Sequence, residues 1–354
     1  MITDLRLQHF RSYTDDSFEF QSGVNIVVGP NASGKTNLLE AILVLATGSS
    51  YRVSDAELVQ CDQPWARLDS HDSANQGRTA KIVLDPRPTK TYEFSGKVIR
   101  RLSLKDKLPV VLFEPNHLQL LAGSPEQRRV YLDDLLEQTE AGYGTLRREY
   151  KRILAQRNSL LKQPHLSAGG QLFAWNIRLS EAAGRIVRFR AGVTNVLNSR
   201  LALLYGDLSR TKTLVELDYA SRFSPDGYET NLLKKLEADL ALDQVRGFTS
   251  AGPHREDLLV TFDGHPAGLA ASRGESRTAV LALKVLELDM LRAARSVAPI
   301  LLLDDVFSEL DGSRRRALTN YLQDYQTFIT TTDADVVIQN FTETCHVIAL
   351  GSQD

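Results

Sequence analysis

Eight consecutive residues, Gly29-Pro30-Asn31-Ala32-Ser33-Gly34-Lys35-Thr36, have the types and spacing of a phosphate-binding loop. In such a loop the backbone N–H groups and the positive end of the following helix favour a polyphosphate. Lys35 would reach the β and γ phosphates, and the Thr36 hydroxyl is suited to Mg²⁺; Asn37 follows directly. A second acidic constellation, Asp304-Asp305, closes the apolar run Pro299-Ile300-Leu301-Leu302-Leu303. One carboxylate at a strand end is an ordinary solvent boundary. Two consecutive ones after four large apolar residues match the other half of a nucleotide site: Asp304 would hold Mg²⁺ through water, and Asp305 would orient or deprotonate the attacking water. Ser272-Arg273-Gly274-Glu275-Ser276 precedes a helical pattern and reads either as an N-cap or as an anion site at a helix start.

The elements that must position these residues are legible around them. Val24-Asn25-Ile26-Val27-Val28 is an apolar run that predicts a buried strand before the loop, and residues 37–45 have helical spacing after it. Ile2-Thr3-Asp4-Leu5-Arg6-Leu7 alternates as a strand, His9-Phe10-Arg11-Ser12-Tyr13 breaks the pattern, and Asp16-Ser17-Phe18-Glu19-Phe20 resumes it. Arg11 alone reads as a solvated turn arginine. Residues 47–76 are irregular and polar. Alternation at residues 79–85 and 90–94, a turn at Ser95-Gly96-Lys97 and a buried run at residues 108–113 predict a β-rich subsheet beside the nucleotide core.

From residue 126 to 212 the texture is helical, with a break from Pro164 to Gly170, which predicts two long helices forming an antiparallel hairpin. This segment holds 15 Lys plus Arg against 8 Asp plus Glu, a net of +7 in a chain whose total is −2. That asymmetry points to a polyanion, although solvated arginines on helix faces give the same count. A strand follows at residues 213–217 and a helix at 231–240. Gly252-Pro253-His254-Arg255 marks a turn before the strand Leu258-Leu259-Val260-Thr261-Phe262, and for His254 and Arg255 a charged turn with no role is the commoner outcome. The two cysteines, Cys61 and Cys345, have no metal-ligand spacing and read as buried free thiols.

At 354 residues the chain exceeds what one hydrophobic core usually supports, so a second lobe is expected. It has no run of ~18 apolar residues and no leader-like amino terminus, which predicts a cytoplasmic protein without a membrane partner. Lys35 and Asp304 stand 269 positions apart, so the chain's two ends must close one site around an insertion.

That layout resembles the ABC-type ATPases of the SMC group, and most closely the RecF family of bacterial DNA replication and repair proteins. Four stretches carry the resemblance. Phe10-Arg11-Ser12-Tyr13 with the phosphate loop is similar to the SMC-group opening. Residues 115–125 followed by Arg128-Arg129-Val130-Tyr131-Leu132-Asp133, and Gly252-Pro253-His254-Arg255, resemble RecF specifically. Leu302-Leu303-Asp304-Asp305-Val306-Phe307-Ser308-Glu309-Leu310-Asp311 completes the set. The implied fold is α/β: an ABC-type ATPase head, with a P-loop core sheet and a β-rich subsheet, carrying an inserted mainly helical second lobe. Its parts are expected at residues 1–124, 125–212 and 213–354.

The resemblance implies ATP and Mg²⁺ as cofactors and an ATP-dependent homodimer in which Ser272 and Gly274 of one subunit cap the γ-phosphate held by Lys35 of the other. Asp311 would lie at that interface, and Arg11 would approach the phosphates or the adenine edge. The implied activity is a weak, DNA-stimulated ATPase acting as a switch in recombinational gap repair, within the SOS response. Its partners would be double-stranded DNA, single-strand/double-strand junctions, and RecR and RecO, with RecA loaded indirectly. Arg273 and Glu275 stand where the family usually has glutamines, and Asp305 where many ABC-type ATPases have glutamate. Gln119 is a weak candidate for the sensing glutamine, and Thr331 or Thr332 occupies the neighbourhood of the switch histidine. Two other functional classes fit the residues: a non-catalytic, nucleotide-stabilised scaffold, and an ABC transporter ATPase subunit, which the large insertion disfavours.

Overall fold

The computed structural model describes residues 1–121, 123–162, 170–307, 310–339, 341 and 345–351. The chain divides into two compact units, Met1–His117 with Glu287–Asp354, and Leu118–Leu286. In chain order, the first unit begins with β1 (Ile2–Phe10), β2 (Tyr13–Glu19), β3 (Val24–Val28) and α1 (Lys35–Thr47). It continues through β4 (Trp65–Asp72), β5 (Gly77–Val83), β6 (Thr89–Phe94), β7 (Lys97–Ile99) and β8 (Val110–Phe113). The second unit holds α2 (Pro125–Thr139), α3 (Tyr143–Leu161), α4 (Gly170–Ser209), β9 (Val215–Ala220), α5 (Tyr228–Ala238), α6 (Leu240–Arg246), β10 (Asp257–Phe262), β11 (His265–Pro266), α7 (Ala267–Ala270) and the start of α8 (Arg273–Ala294). The first unit then closes with β12 (Ile300–Asp304), α9 (Gly312–Leu322), β13 (Thr327–Thr331), α10 (Ala334–Ile338) and β14 (His346–Ala349).

Two sheets build the first unit. The antiparallel one has the order β2-β1-β4-β5-β6-β7, and the parallel one the order β14-β3-β13-β12-β8. Helix α1 is buried on nearly every side, from Leu38 through Ala46. A helix apolar all round cannot face solvent and must be covered on all sides. Leu5 and Leu7 of β1, Ala66 and Leu68 of β4 and Ile82 of β5 belong to the same core as Val27, Ile300, Leu302 and Phe328 of the parallel sheet. The subsheet, the core sheet and the loop-bearing helix are therefore one packed body.

Strand β4 runs through the stretch read as irregular. Its inward residues are Ala66, Leu68 and Ser70, two of them small or polar, so the alternation carries little hydrophobic signal. Pairing with β1 and β5 on its two sides makes it a strand all the same. The expected turn at Ser95-Gly96 joins β6 to β7, with both residues at positive φ and Phe94 opposite Lys97, the geometry of a two-residue hairpin.

The second unit is mainly helical, with a three-stranded antiparallel sheet of order β11-β10-β9. Its first helical stretch is two helices rather than one long one. α2 ends at Thr139, and Gly142, at φ 86°, starts α3 after a short turn. Helix α3 packs against α4, and α4 against β9 and α5. The predicted break at residues 164–170 falls almost wholly on residues 163–169, outside the described residues. Neither cysteine is in a disulfide, and against the expectation of buried thiols Cys61, in a turn, is exposed and Cys345, just before β14, is half-buried. Among the described residues, no helix is long and apolar enough to cross a membrane.

Candidate nucleotide site

The loop after β3 is shaped by its glycines and by the turn between β1 and β2. A Cβ on Gly29 would stand 2.6 Å from Ser33 Oγ and 2.8 Å from the Leu350 carbonyl. Gly34 has φ 94°, and a Cβ there would lie 2.9 Å from the Tyr13 hydroxyl. The Tyr13 hydroxyl donates to the Gly34 carbonyl at 3.0 Å, and Asn37 Nδ2 donates to Ser12 Oγ at 2.9 Å. Ala32, exposed beside Asn31, also takes a left-handed φ of 67°. Left-handed residues within a loop turn successive N–H groups toward one concavity, an anion nest.

Three observations fit this concavity to a polyphosphate. The α1 N-terminus has Gly34 as its N-cap and no side-chain cap on its amides. Ser33 Oγ is buried and has no hydrogen-bond partner among the described residues. Lys35 folds its ammonium back onto the loop, donating to the carbonyls of Gly29 and Pro30, each at 2.7 Å. An orphaned hydroxyl, uncapped helix amides and a lysine held on carbonyls are the donors that an anion would engage.

Strand order brings the acidic half to this loop. β13 lies between β3 and β12, so the end of the loop strand and the end of the acidic strand are one strand apart. Asp304, almost fully buried, accepts from Thr36 Oγ1 at 3.0 Å, Thr330 Oγ1 at 2.8 Å and the Tyr51 hydroxyl at 3.3 Å. Thr36 and Asp304 are thus in contact across 268 positions of sequence. The Thr36 oxygen keeps its lone pairs free while its O–H donates to Asp304, so this hard-oxygen pair suits Mg²⁺. Asp305 is exposed, with φ 53°, and its N–H donates to Thr330 Oγ1 at 2.9 Å. A left-handed aspartate at a strand end is the kind of local strain that turns a side chain away from the strand's own alternation.

Arg11 also has a positive φ, 53°, but its guanidinium lies on α1. Nε donates to the fully buried Glu40 at 2.8 Å and Nη1 to the Glu57 carbonyl at 3.2 Å. Glu40 accepts in addition from Ser50 Oγ. Sequence reading missed Glu40, Ser50, Tyr51, Thr330 and Glu114. Thr330 is one of three threonines in β13, with nothing to single it out, and Tyr51 sits in a polar stretch with no periodicity to mark it. The last register pair of β8 and β12 is Phe113 with Leu303, the residues directly before Glu114 and Asp304. Burial, then the charges of Asp304 and Glu114, push the Tyr51 hydroxyl well above its ordinary range, so it remains a donor.

Ser272 and Gly274 belong to the second unit, at the start of α8. The Ser272 N–H donates to Glu275 Oε2 at 2.8 Å, and the Glu275 N–H donates to Ser272 Oγ at 3.3 Å. This reciprocal pair is a capping box, and it gives the unusual Glu275 a local role. Hydrogen bonds from Ser272 hold the Glu275 carboxyl below its usual range. Asp311 is the N-cap of α9, accepting from the N–H groups of Ser313 and Arg314 at 3.1 and 2.9 Å, and it pairs with the Arg314 side chain. Thr331 is buried and its carbonyl accepts from the Gly29 N–H at 3.4 Å, whereas Thr332 is exposed. The Gln119 side chain, Ala122, Ser308 and Glu309 lie outside the described residues.

Two of the four quoted stretches meet inside the second unit. Arg128 forms a two-pronged pair with Asp257 at 2.8 and 2.7 Å, and Arg129 Nη1 donates to the Glu256 carbonyl at 2.9 Å. Asp133 receives Arg190, which also donates to the Pro253 carbonyl at 2.7 Å. His254 is no charged turn: Nδ1 meets the Tyr150 hydroxyl at 2.6 Å, Nε2 meets the Thr249 carbonyl at 3.0 Å, and burial pushes its pKa down to about 4. Arg255 is exposed, its guanidinium 4.8 Å from the Phe248 ring centroid.

The fold and the site define an ABC-type ATPase head whose two half-sites come from the two ends of the chain. The Smc head solved with the C-terminal winged-helix domain of ScpA shares this fold at a TM-score of 0.55 and 16% identity, over 98% of this chain and 93% of that one. The family model described as the RecF/RecN/SMC N-terminal domain matches residues 1–350. The DNA replication and repair protein RecF of Heliobacterium modesticaldum is 36% identical over 342 residues, covering 94% of this chain and 92% of that protein. RecF of Symbiobacterium thermophilum is 38% identical over 350 residues, with 94% and 92% covered. A solved structure of the recombination mediator protein RecF with ATP, in the RecFOR pathway, superposes with a TM-score of 0.86 at 28% identity, over 100% of this chain and 98% of that one. The chain belongs to the RecF family.

Proposed function

We propose that this protein is a cytoplasmic, ATP-dependent DNA-binding protein of recombinational gap repair. ATP binding would join two copies on double-stranded DNA near single-strand/double-strand junctions, and slow hydrolysis would release them. The observation that carries this reading is the contact of Thr36 with Asp304, which makes one polyphosphate site from the two ends of a RecF-family chain. In it the backbone N–H groups of Asn31, Ala32 and Gly34 and the hydroxyl of Ser33 bind phosphate oxygens, and Lys35 moves from the loop carbonyls to the β and γ phosphates. Thr36 and Asp304 hold Mg²⁺, which when bound offsets phosphate charge. Asp305 takes a proton from the attacking water. Ser272 and Gly274 of a second copy complete the γ-phosphate shell, with Asp311 near that interface and Arg11 turning from Glu40 toward the nucleotide. The basic helical segment supports contact with DNA phosphates, which makes binding strongly salt-dependent. RecO and RecR are the proposed partners, with recombinase loading the outcome.

The test is the ATPase rate per subunit as protein concentration is varied, with and without duplex DNA. A site completed by a second copy gives a rate that rises with concentration and with DNA, and that Ser272→Arg abolishes. A rate independent of concentration and unaffected by Ser272→Arg contradicts the composite site.

A further inference from the structure

The loop after α1 carries a residue that the reading above does not use. Gly48, at φ 92°, turns the chain out of the helix, and its carbonyl accepts from the Tyr92 hydroxyl at 2.9 Å. Two residues on, Ser50 Oγ donates to buried Glu40 and accepts the N–H groups of Arg52 and Val53 at 2.9 and 3.1 Å. Tyr51, between them, is thereby fixed with its hydroxyl 3.3 Å from Asp304 Oδ2, while Thr36 and Thr330 both use Oδ1. Each carboxylate oxygen is thus oriented by hydroxyl donors from a different element. Removing Tyr51 leaves Oδ2 without the donor that fixes its direction.

We infer that Tyr51 is a positioning residue for the metal-holding carboxylate Asp304, set in place by the Glu40–Ser50 anchor on α1. The inference rests on the proposed role of Asp304. Outer partners that orient a ligating carboxylate tune metal affinity without touching the metal. The anchor also links two parts of the site: Glu40 is held on one oxygen by Arg11 and on the other by Ser50. If Arg11 turns to nucleotide, Glu40 loses one of its partners, and the loop that aims Tyr51 at Asp304 is the element next in line.

The test uses the full chain with a non-hydrolysable ATP analogue, reading Mn²⁺ binding by electron paramagnetic resonance and analogue binding in excess chelator. Tyr51→Phe keeps the ring and removes the donor. The expected result is Mn²⁺ binding weakened roughly ten- to a hundredfold, with metal-free analogue affinity unchanged, and a smaller loss in the same direction for Ser50→Ala. Unchanged Mn²⁺ affinity in Tyr51→Phe, beside a large loss in Asp304→Asn, overturns the inference alone. An equal fall in metal-free analogue affinity also overturns it, because Tyr51 would then only hold the pocket together. No loss in Asp304→Asn overturns the reading of Asp304 and the inference with it.

Discussion

Most of the candidate phosphate site was legible residue by residue, because the proposed chemistry demands fixed types at fixed spacings. Gly29, Gly34, Lys35, Thr36 and Asp304 could be named from sequence, and the register of three parallel strands brings the last two into contact. The hydroxyls that orient Asp304 were not legible, since Thr330 and Tyr51 reach it only through tertiary structure. His254 was misjudged for a related reason: a Gly-Pro-His-Arg string looks like a solvated turn, yet the imidazole is enclosed between Tyr150 and Thr249. Burial holds it neutral, with a pKa of about 4 against 6.5 for an ordinary histidine. The unfolded chain takes up that proton below pH 6.5 and the folded chain does not until about pH 4. Stability is therefore lost as the pH falls through this window, by on the order of 3 kcal/mol. Urea unfolding at pH 7 and pH 4.5 should show a smaller pH-dependent loss in His254→Gln than in the wild type; an identical loss in both would contradict the assignment.

Elements with strong apolar periodicity, such as β3, α1 and β12, could be anticipated, and β4 could not, because its inward face is Ala, Leu and Ser. In the second unit, helix spacing was clear but what fastens the helices was not. Arg157 on α3 is fully buried and binds Asp243 of α6 at 2.8 Å, Asn176 of α4 at 2.7 Å and Thr249 at 2.7 Å. A buried charge of this kind reads from sequence as one more solvated arginine in a basic segment. Removing its counter-ion leaves an uncompensated charge in the interior, which costs about 3–5 kcal/mol. Asp243→Ala should lower the denaturant midpoint accordingly, and a change below about 1 kcal/mol would show that water reaches the pair.

On the scale of the whole molecule, the separation of Lys35 from Asp304 predicted that the chain's ends form one head around an insertion, and the division into two units has this form. The composition break near residue 125 marked the start of the helical part. It did not reveal that β9, β10 and the start of α8 belong to the same unit as those helices, since the links are Arg128 to Asp257 and Arg190 to Pro253, pairings that no local pattern encodes. The capping box of Ser272 and Glu275 gives the whole-molecule question its sharpest form. The Ser272 N–H is held by the Glu275 carboxylate, whereas the Ser272 hydroxyl only accepts from the Glu275 N–H and keeps its proton to donate, so in the proposed dimer another copy's γ-phosphate would displace the carboxylate from the N–H alone. The measurement that tests the central claim most directly is sedimentation velocity with Mg-ATP, with and without duplex DNA, for the wild type, Lys35→Met and Ser272→Arg. An ATP-dependent dimer in the wild type alone, favoured further by duplex, is the predicted result. A dimer that forms without ATP, or that persists with ATP in Ser272→Arg, would contradict a nucleotide shared between two copies.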